Sequence, residues 1–170
     1  MDPISMLKGD HRKVKYLFRR FEGAQGTEKE ELFKEIMKEL QVHTKIEEEL
    51  FYPEIKKIDS EIAAEALEEH NIVDFILASM KKLSPDDESY DAKFKTLREN
   101  VEHHIEEEEG EMFPKAEGSL GNMEDLGRRM MARKEKLMKS ASSRSRSSAS
   151  RSASRSRTTS GSRSQSKSRS

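Results

Sequence analysis

Two stretches of the sequence repeat one another and decide the fold. His43–Pro53 reads HTKIEEELFYP and His104–Pro114 reads HIEEEEGEMFP. In both stretches a histidine is followed four residues later by a glutamate, then by a second glutamate, and an aromatic residue precedes the proline. Helical patterning accounts for matching apolar positions, but not for the coincidence of histidine, glutamate and proline. The chain is therefore predicted to consist of two similar halves.

The segments that open the two halves also match. HRKVKYLF begins at His11 and HNIVDFIL begins at His70, each with a valine three residues after the histidine. Each half has the pattern of a helical hairpin, over about residues 1–58 and 60–115. Short connections between long helices favour an up-down-up-down arrangement, and packing the hairpins about a pseudo-twofold axis would bring the two halves of a site together.

The fold class predicted from these patterns is all-α, because no segment shows the sustained alternation of a strand. We expect an antiparallel up-down-up-down four-helix bundle with a short fifth helix and a disordered C-terminal tail. The four long helices are predicted at about residues 3–21, 27–58 (with a kink at Pro53), 61–83 and 88–115, and the fifth at 123–138.

Polar residues interrupt the apolar face of every long helix. A single buried histidine is most often a core residue with satisfied hydrogen bonds, but here all four helices carry one and two also carry a glutamate. Burying such groups without partners costs several kcal/mol per charged group, and a bound cation removes that cost. Imidazole and carboxylate suit iron, zinc, manganese or copper. The predicted metal ligands are His11, His43, Glu47, His70, His104 and Glu108.

The spacing within these residues favours two metal ions rather than one. A glutamate four residues after a histidine projects from the same helix face. Each carboxylate has two oxygens and can bridge two metals while each imidazole binds one, and a single metal rarely needs six protein ligands.

The whole pattern resembles the hemerythrin-like (HHE cation-binding) family. That family has a histidine in the first helix, H-x-x-x-E in the second, a histidine in the third and H-x-x-x-E in the fourth, and the resemblance covers about residues 5–138. It implies a non-haem, carboxylate-bridged site for two iron ions. It also implies a small diatomic ligand, oxygen or nitric oxide, at that site.

One position departs from the oxygen-carrying hemerythrins. Those proteins have a fifth histidine one turn after the third-helix ligand and an aspartate as second bridge, where this chain has Asp74 and Glu108. The resemblance therefore points to the hemerythrin-like domains associated with binding or sensing of oxygen, nitric oxide, iron or redox state. An enzyme that detoxifies peroxide, oxygen or nitric oxide is the alternative.

Other polar and aromatic residues near the motifs receive different interpretations. His103 is predicted to lie at the rim or surface, and Asp74 to be solvated or to support the site from outside. Tyr16, Tyr52 and Phe113 are interpreted as packing residues, with a tyrosine that hydrogen-bonds the site as the alternative. An exposed acidic face is predicted for Glu48, Glu49, Glu106, Glu107 and Glu109.

The last 31 residues differ from the rest of the chain. Residues 140–170 contain eight Lys or Arg, no acidic residue and sixteen serines, which leaves 24 basic against 33 acidic residues in 1–139. We therefore predict two parts, a bundle over 1–139 and a disordered Ser/Arg-rich tail over 140–170. The tail is either a structureless extension or a salt-sensitive contact for a polyanion such as nucleic acid. This second reading makes a nucleic-acid-associated protein a further alternative.

Several classes of protein are excluded by composition. The chain has no cysteine, so disulfides and thiolate-bound metals are excluded. It has no apolar run long enough for a membrane span, and the start MDPISMLKGD lacks the pattern of a secretory signal. We therefore expect a cytoplasmic, intracellular protein.

Overall fold

The computed structural model describes the backbone of residues 2–155 and the side chains of residues 2–143. The helices are α1 (Pro3–Gly23), α2 (Gly26–Ile46), α3 (Tyr52–Ile55), α4 (Ser60–Met80), α5 (Tyr90–Glu107), α6 (Phe113–Ser119) and α7 (Met123–Arg155). No strand occurs in residues 2–155, so the predicted all-α class is confirmed. Within the same residues no helix is long and apolar enough to cross a membrane.

The bundle is built from two antiparallel hairpins, as predicted. The first hairpin pairs α1 with α2 and the second pairs α4 with α5. The hairpins meet through α1 with α5 and through α2 with α4, so the four long helices form a ring in which α1 lies diagonally across from α4. Asp2 begins the first hairpin, since its carboxylate accepts a hydrogen bond from the Ser5 N–H at 2.8 Å.

Each hairpin contains a π-helical segment between its last two α-helical pieces. The segments are Glu47–Phe51 and Glu108–Met112, and each starts at a predicted ligand. The N–H of Tyr52 bonds the carbonyl of Glu47, five residues back. A proline follows, with no N–H to donate and a ring that would clash with an α-helical carbonyl. The predicted kink at Pro53 is thus a widened turn before the proline.

The wider turn shifts the inward face of the chain by one residue. A regular α-helix would turn Leu50 toward the core, as the sequence pattern predicts. In the structure Leu50 is only partly buried, whereas Phe51 and Tyr52 are fully buried. The extra residue in the turn therefore determines which aromatic side chains reach the interior.

The hydrophobic core lies mainly on one side of the layer that holds the histidines. It includes Phe18, Phe21 and Phe94, and the rings of Phe21 and Phe94 stack with centroids 3.6 Å apart. On the other side of that layer, Phe51 and Phe113 pack edge to face at 5.7 Å. The polar layer is thus enclosed by apolar packing at both ends.

The last helix is longer than the sequence pattern predicts. It begins at Met123 as expected but continues past residue 138 to Arg155, so residues 140–155, predicted as disordered, are helical here. These residues contain alanine, arginine and serine without glycine or proline, and the Ser140 hydroxyl bonds the Lys136 carbonyl one turn back. The remaining predicted tail, 156–170, lies outside the described residues. The chain separates into two units, Met1–Glu135 and Lys136–Ser170.

Candidate metal centre

The structure brings all six predicted ligands together in the interior of the bundle. All six side chains are buried. Two overlapping groups have donor atoms close enough to hold a metal ion: His11, His43, Glu47 and Glu108 form one, and Glu47, His70 and His104 form the other. The imidazole rings lie in pairs, with 4.9 Å between the centroids of His11 and His43. The corresponding distance between His70 and His104 is 4.7 Å.

Glu47 connects the two groups. Its Oε1 lies 3.1 Å from Nε2 of His43, and its Oε2 lies 3.4 Å from Nε2 of His70. One carboxylate oxygen thus faces a histidine of the first hairpin and the other faces a histidine of the second. This is the arrangement expected of a carboxylate that bridges two cations.

Glu108 contacts both hairpins differently, because a tyrosine occupies one of its oxygens. Its Oε2 lies 3.2 Å from Nε2 of His11 and 3.7 Å from Nε2 of His104. Its Oε1 accepts a hydrogen bond from the Tyr52 hydroxyl at 2.9 Å. The Tyr52 oxygen is also 3.0 Å from Nε2 of His70. Tyr52 is therefore buried, as a packing residue would be, but its hydroxyl lies within the site, which fits the alternative of a tyrosine that hydrogen-bonds the site.

This tyrosine breaks the symmetry of the two halves. In the sequence repeat Tyr52 corresponds to Phe113, which has no hydroxyl. The ring of Phe113 stacks on His11 with centroids 5.8 Å apart, so its interpretation as a packing residue is confirmed. The two carboxylates are consequently unequal, and only Glu108 is neighboured by a phenol.

Each of the four histidines presents its second nitrogen, Nδ1, to a carboxylate. The distances are 2.7 Å from His11 to Glu109, 2.9 Å from His70 to Glu48, 2.5 Å from His104 to Glu69 and 3.5 Å from His43 to Asp10. For His11, His70 and His104 the carboxylate can accept a hydrogen bond from Nδ1, which leaves the Nε2 lone pair directed at the centre of the site, whereas Asp10 faces His43 without a hydrogen bond. Oriented imidazoles of this kind are typical of metal ligands.

Glu48 and Glu109, which were predicted to belong to an exposed acidic face, also support the site. Both are about two-fifths exposed, but each reaches inward to a histidine of the other hairpin. Their positions are equivalent in the sequence repeat, immediately after the predicted bridging glutamates. The sequence repeat contains a glutamate at this position in both halves, and that repetition was the signal that could have indicated their contact with the histidines.

The fifth long helix, α7, contacts these supporting carboxylates. The Lys134 ammonium pairs with Asp10, which faces His43. Arg133 donates two hydrogen bonds, at 2.6 and 2.8 Å, to the carboxylate of Glu49, which sequence analysis also placed on the exposed face. The α7 helix is therefore connected to the site through a lysine, an aspartate and a histidine in series.

Electrostatics in the site favour a charged His43 and a charged Glu47 when no other cation is bound. Burial alone would lower the pKa of His43, but the carboxylates of Glu47 and Asp10 raise it to about 10. Burial would raise the pKa of Glu47, yet His43 and His70 hold it well below the usual value. Burial, together with the carboxylates of Glu108 and Glu47, raises the pKa of Tyr52 well above 10, so its hydroxyl stays a donor.

A small cavity adjoins the four imidazoles on the side away from Glu47 and Glu108. Its volume is about 20 Å³, close to that of a single water-sized molecule. The aliphatic side chains that line it include Val14, Val73 and Val101. The cavity is therefore an apolar space for a very small molecule beside the histidines.

The other sequence candidates lie outside the site. His103 is 64% exposed, which confirms its predicted surface position, and with Glu69 and Glu107 it forms a partly exposed cluster behind His104. Asp74 is exposed, and burial and the Glu48 carboxylate raise its pKa. Tyr16 is half exposed, so its interpretation as a packing residue is wrong.

Comparison with known families agrees with this geometry. The model of the hemerythrin HHE cation-binding domain matches residues 2–116, which is more than half of the chain. The chain belongs to the hemerythrin HHE cation-binding domain family. The resemblance found in the sequence is thereby confirmed, and the chain is a hemerythrin-like protein of a family that binds metal cations.

Mycobacterial proteins are among its relatives. An uncharacterized protein of Mycobacterium tuberculosis is 30% identical over 142 residues, which cover 81% of this chain and 88% of the relative. A protein of Mycobacterium bovis matches to the same extent. The crystal structure of a hemerythrin HHE cation-binding domain-containing protein of Mycobacterium kansasii superposes with a TM-score of 0.75 at 29% identity. That match covers 82% of this chain and 89% of the other.

A further relative is a longer protein that matches this chain over part of its length. A protein named DNA nickase, from Nostoc, is 27% identical over 124 residues. The match covers 72% of this chain but 35% of the Nostoc protein, so the hemerythrin-like chain corresponds to one part of that longer protein.

Proposed function

We propose that this protein binds two iron ions in a non-haem, carboxylate-bridged site and binds or senses a small diatomic ligand, oxygen or nitric oxide, there. In this proposal the ligands are His11, His43, Glu47, His70, His104 and Glu108. Glu47 and Glu108 bridge, and each metal has two histidines. The single observation that carries the proposal is Glu47, whose two oxygens face histidines of different hairpins.

The hydrogen bonding of the site supports metal binding. Among the described residues, the buried side-chain atoms without a hydrogen-bond partner are Asp10 Oδ2, His11 Nε2, His43 Nδ1, His43 Nε2, both Glu47 carboxylate oxygens and Glu108 Oε2. Buried polar groups are normally satisfied, and an unsatisfied one costs about 1–3 kcal/mol. All of these atoms belong to the site or its supporting shell, and neutral imidazole with carboxylate is a donor set that suits iron.

The choice of a diatomic ligand rests on the size and polarity of the cavity. It adjoins all four histidines, and its remaining walls are mostly aliphatic, with Asp10 and Thr44 as the other polar residues. An apolar space of about 20 Å³ excludes organic substrates but accepts a diatomic molecule. When bound, iron would supply redox chemistry and an open position for that molecule. The valines around the cavity would exclude bulk water from it.

The metal assignment is tested on protein purified without oxygen and analysed for metals by mass spectrometry. We expect about two iron ions per chain. His43→Ala and His104→Ala should each lower the iron content, because each removes one buried donor. The matched control is His103→Ala, which removes the exposed neighbour of His104 and should leave the iron content unchanged.

Two results would contradict the metal assignment. One is a protein that contains zinc or a single metal ion when grown with sufficient iron. The other is equal iron content in the two ligand variants and the control. Circular dichroism of each variant separates loss of metal from loss of the fold.

The diatomic ligand is tested by optical spectroscopy of the iron-loaded protein before and after exposure to air or nitric oxide. We expect a spectral change with at least one gas. Val101→Phe fills the cavity and should slow or abolish that change without lowering the iron content. An unchanged spectrum in the wild type, or an unimpeded change in Val101→Phe, would count against the cavity as the ligand site.

An enzyme of peroxide, oxygen or nitric oxide detoxification is the second candidate, and Tyr52 favours it. A neutral phenol within 2.9–3.3 Å of Glu108, His70 and His104 can deliver a proton to a reacting molecule at the site. Multiple turnovers of peroxide or nitric oxide, reduced in Tyr52→Phe at unchanged iron content, would favour the enzyme. Binding without turnover would favour the sensor.

Attachment to nucleic acid through residues 140–170 is a third candidate. It is supported by eight basic residues without an acidic one, and by the similarity to part of a protein named DNA nickase. Eight phosphate contacts would make the log of the binding constant fall by about 5–7 per tenfold increase in salt. A chain ending at residue 139 should lose this binding, and equal binding by the shortened chain would reject the proposed role of the tail.

A further inference from the structure

The outward face of α4 carries three large apolar side chains among its acidic ones, where the outward face of a bundle helix is normally polar throughout. Among the described residues the exposed large hydrophobic side chains are Tyr16, Ile58, Leu67, Ile72 and Phe75, and three of these lie on α4. Phe75 is the most exposed of the five, at 75%. The opposite face of α4 packs into the bundle through His70, Val73 and Leu77. Large apolar side chains clustered on an exposed helix face and rimmed by polar residues, here Glu68 and Asp74, mark a contact surface.

The residues along this outward face have a symmetric order. Counting from the middle, Asn71 is flanked at four residues on each side by a large apolar side chain, Leu67 and Phe75. Three residues further out on each side is an exposed alanine, Ala64 and Ala78. The steps of three and four residues place all five on one stripe of the helix. The order is therefore small, large, polar, large, small in either direction.

A surface with this order is complementary to itself. When two copies of α4 pack antiparallel about a twofold axis through Asn71, Leu67 of one copy lies at the level of Phe75 of the other. The two asparagine side chains meet on the axis. The amide of each donates a hydrogen bond to Glu68 of its own chain at 3.3 Å, and its second N–H and its carbonyl oxygen can hydrogen-bond to the other copy. Contacts in which the same patch serves both subunits are the rule for twofold dimers, and a central polar residue fixes their register.

Charges at the ends of α4 favour the same antiparallel orientation. Glu61 lies at the N-terminal end, and Lys81 and Lys82 follow the C-terminal end. All three are exposed, and within residues 2–143 none of them forms an ion pair. Antiparallel packing about Asn71 places Glu61 of one copy at the level of Lys81 of the other. A parallel arrangement would instead bring like charges together.

We propose that the outward face of α4 is the contact surface of a homodimer, with a second copy of this chain packed antiparallel on it. The stripe from Ala64 to Ala78 is about 21 Å long at 1.5 Å per residue. One helix face supplies only part of the ~800 Å² per partner found in standard interfaces, so the dimer is expected to dissociate at micromolar concentrations. The contact lies on the opposite side of α4 from His70, so it does not depend on the proposed metal site.

The first test measures the mass of the full chain by sedimentation velocity over a range of concentrations. We expect the wild type to approach twice the 19.6 kDa of one chain as its concentration rises. Phe75→Glu should weaken the dimer by at least ~100-fold, because it places an unpaired carboxylate in an apolar contact. The matched control is Tyr16→Glu on the diagonally opposite α1, which should dimerise like the wild type.

The second test uses the absence of cysteine from the chain, which makes each introduced thiol unique. Asn71→Cys should form a disulfide-linked dimer under mild oxidation, because both copies of the position lie on the axis. A mixture of Leu67→Cys and Phe75→Cys should yield the mixed dimer in excess over either like pair. Glu99→Cys, on the exposed face of α5, should remain unlinked.

These measurements can overturn the proposal in three ways. The first is a wild type that stays at the mass of one chain at every concentration, which would leave the face to another occupant, such as the chain's own residues beyond 143. The second is a Phe75→Glu variant that dimerises as tightly as the wild type. The third is a Tyr16→Glu variant that dissociates as readily as Phe75→Glu. Iron content and circular dichroism, measured on the same samples, keep a failure of the dimer separate from a failure of the metal site.

Discussion

The carboxylate of Glu69 offers a sharp test of how the site is held together. Its Oε2 accepts a hydrogen bond from Nδ1 of His104 at 2.5 Å, and the side chain is 22% exposed. In Glu69→Ala the imidazole would lose the partner that orients it, while all six proposed ligands remain. We therefore expect weaker metal binding with an unchanged fold.

The size of the effect follows from the type of hydrogen bond. A hydrogen bond to a charged group contributes about 1.5–3 kcal/mol, and 1.4 kcal/mol corresponds to a factor of ten. The predicted loss of affinity is thus ~10- to 100-fold, in line with the usual effect of removing a group that orients a metal-binding histidine. Because His104 belongs with His70 to one half of the site, the loss should fall mainly on one of the two metals.

The assay is an anaerobic titration of metal-free protein with ferrous iron against a competing chelator. Wild type should take up both ions together, whereas Glu69→Ala should show two separate steps. The matched control is Glu106→Ala, which removes an exposed glutamate that forms no hydrogen bond or ion pair within residues 2–143. Identical titrations of Glu69→Ala and wild type would refute the reasoning, as would equal weakening in the control.

Three further predictions concern the Tyr52 hydroxyl, the contact of α7 with Asp10, and the dependence of stability on pH. Tyr52→Phe leaves Glu108 without a hydrogen bond and should destabilise the metal-free protein by ~1.5–3 kcal/mol in urea unfolding, with a smaller loss when metal is bound. Lys134→Met frees Asp10 from its ion pair and should lower iron affinity by up to ~10-fold in chelator competition, whereas Lys136→Met should not. Burial opposes protonation of His43, but nearby carboxylates raise its pKa from 6.5 to about 10, so the stability it contributes is complete below pH 6.5 and is lost as pH rises through 10. The melting temperature of metal-free protein should therefore fall between pH 7 and 10 more steeply than that of loaded protein; parallel curves would contradict this.

The fold and the six candidate ligands could be predicted because, in a regular helix, the spacing of two residues in the sequence determines whether their side chains lie on the same face. His43 and Glu47 are four residues apart and therefore lie on one face of their helix. His104 and Glu108 have the same spacing in the second half of the repeat. The π-helical turn after Glu47 has no such signal, since it depends on where hydrogen bonds of the backbone shift near a proline. Helical spacing alone therefore did not predict that the Tyr52 hydroxyl reaches Glu108 in the site.

The supporting carboxylates were missed for a different physical reason. Glu48 stands on a partly solvated side of its helix, so its position on a helical wheel is that of a surface residue. Its contact with His70 comes from the neighbouring hairpin and depends on how closely the two hairpins pack. Helical spacing describes one helix at a time and carries no information about that distance. The contact of Lys134 with Asp10, 124 residues apart, could not be predicted from helical spacing for the same reason.

The exchange of carboxylates between hairpins has a consequence for how the protein acquires metal during synthesis. The first hairpin carries His11, but the acceptor for its Nδ1 is Glu109, near the end of the second hairpin. A nascent chain that has emerged only as far as residue 58 thus has three of the six donors and one unaligned imidazole. Full affinity for the proposed metal pair appears only when the segment Glu108–Met112 has been made, so the bundle should close before it retains metal, which protects the growing chain from capturing an ion in a half-built site.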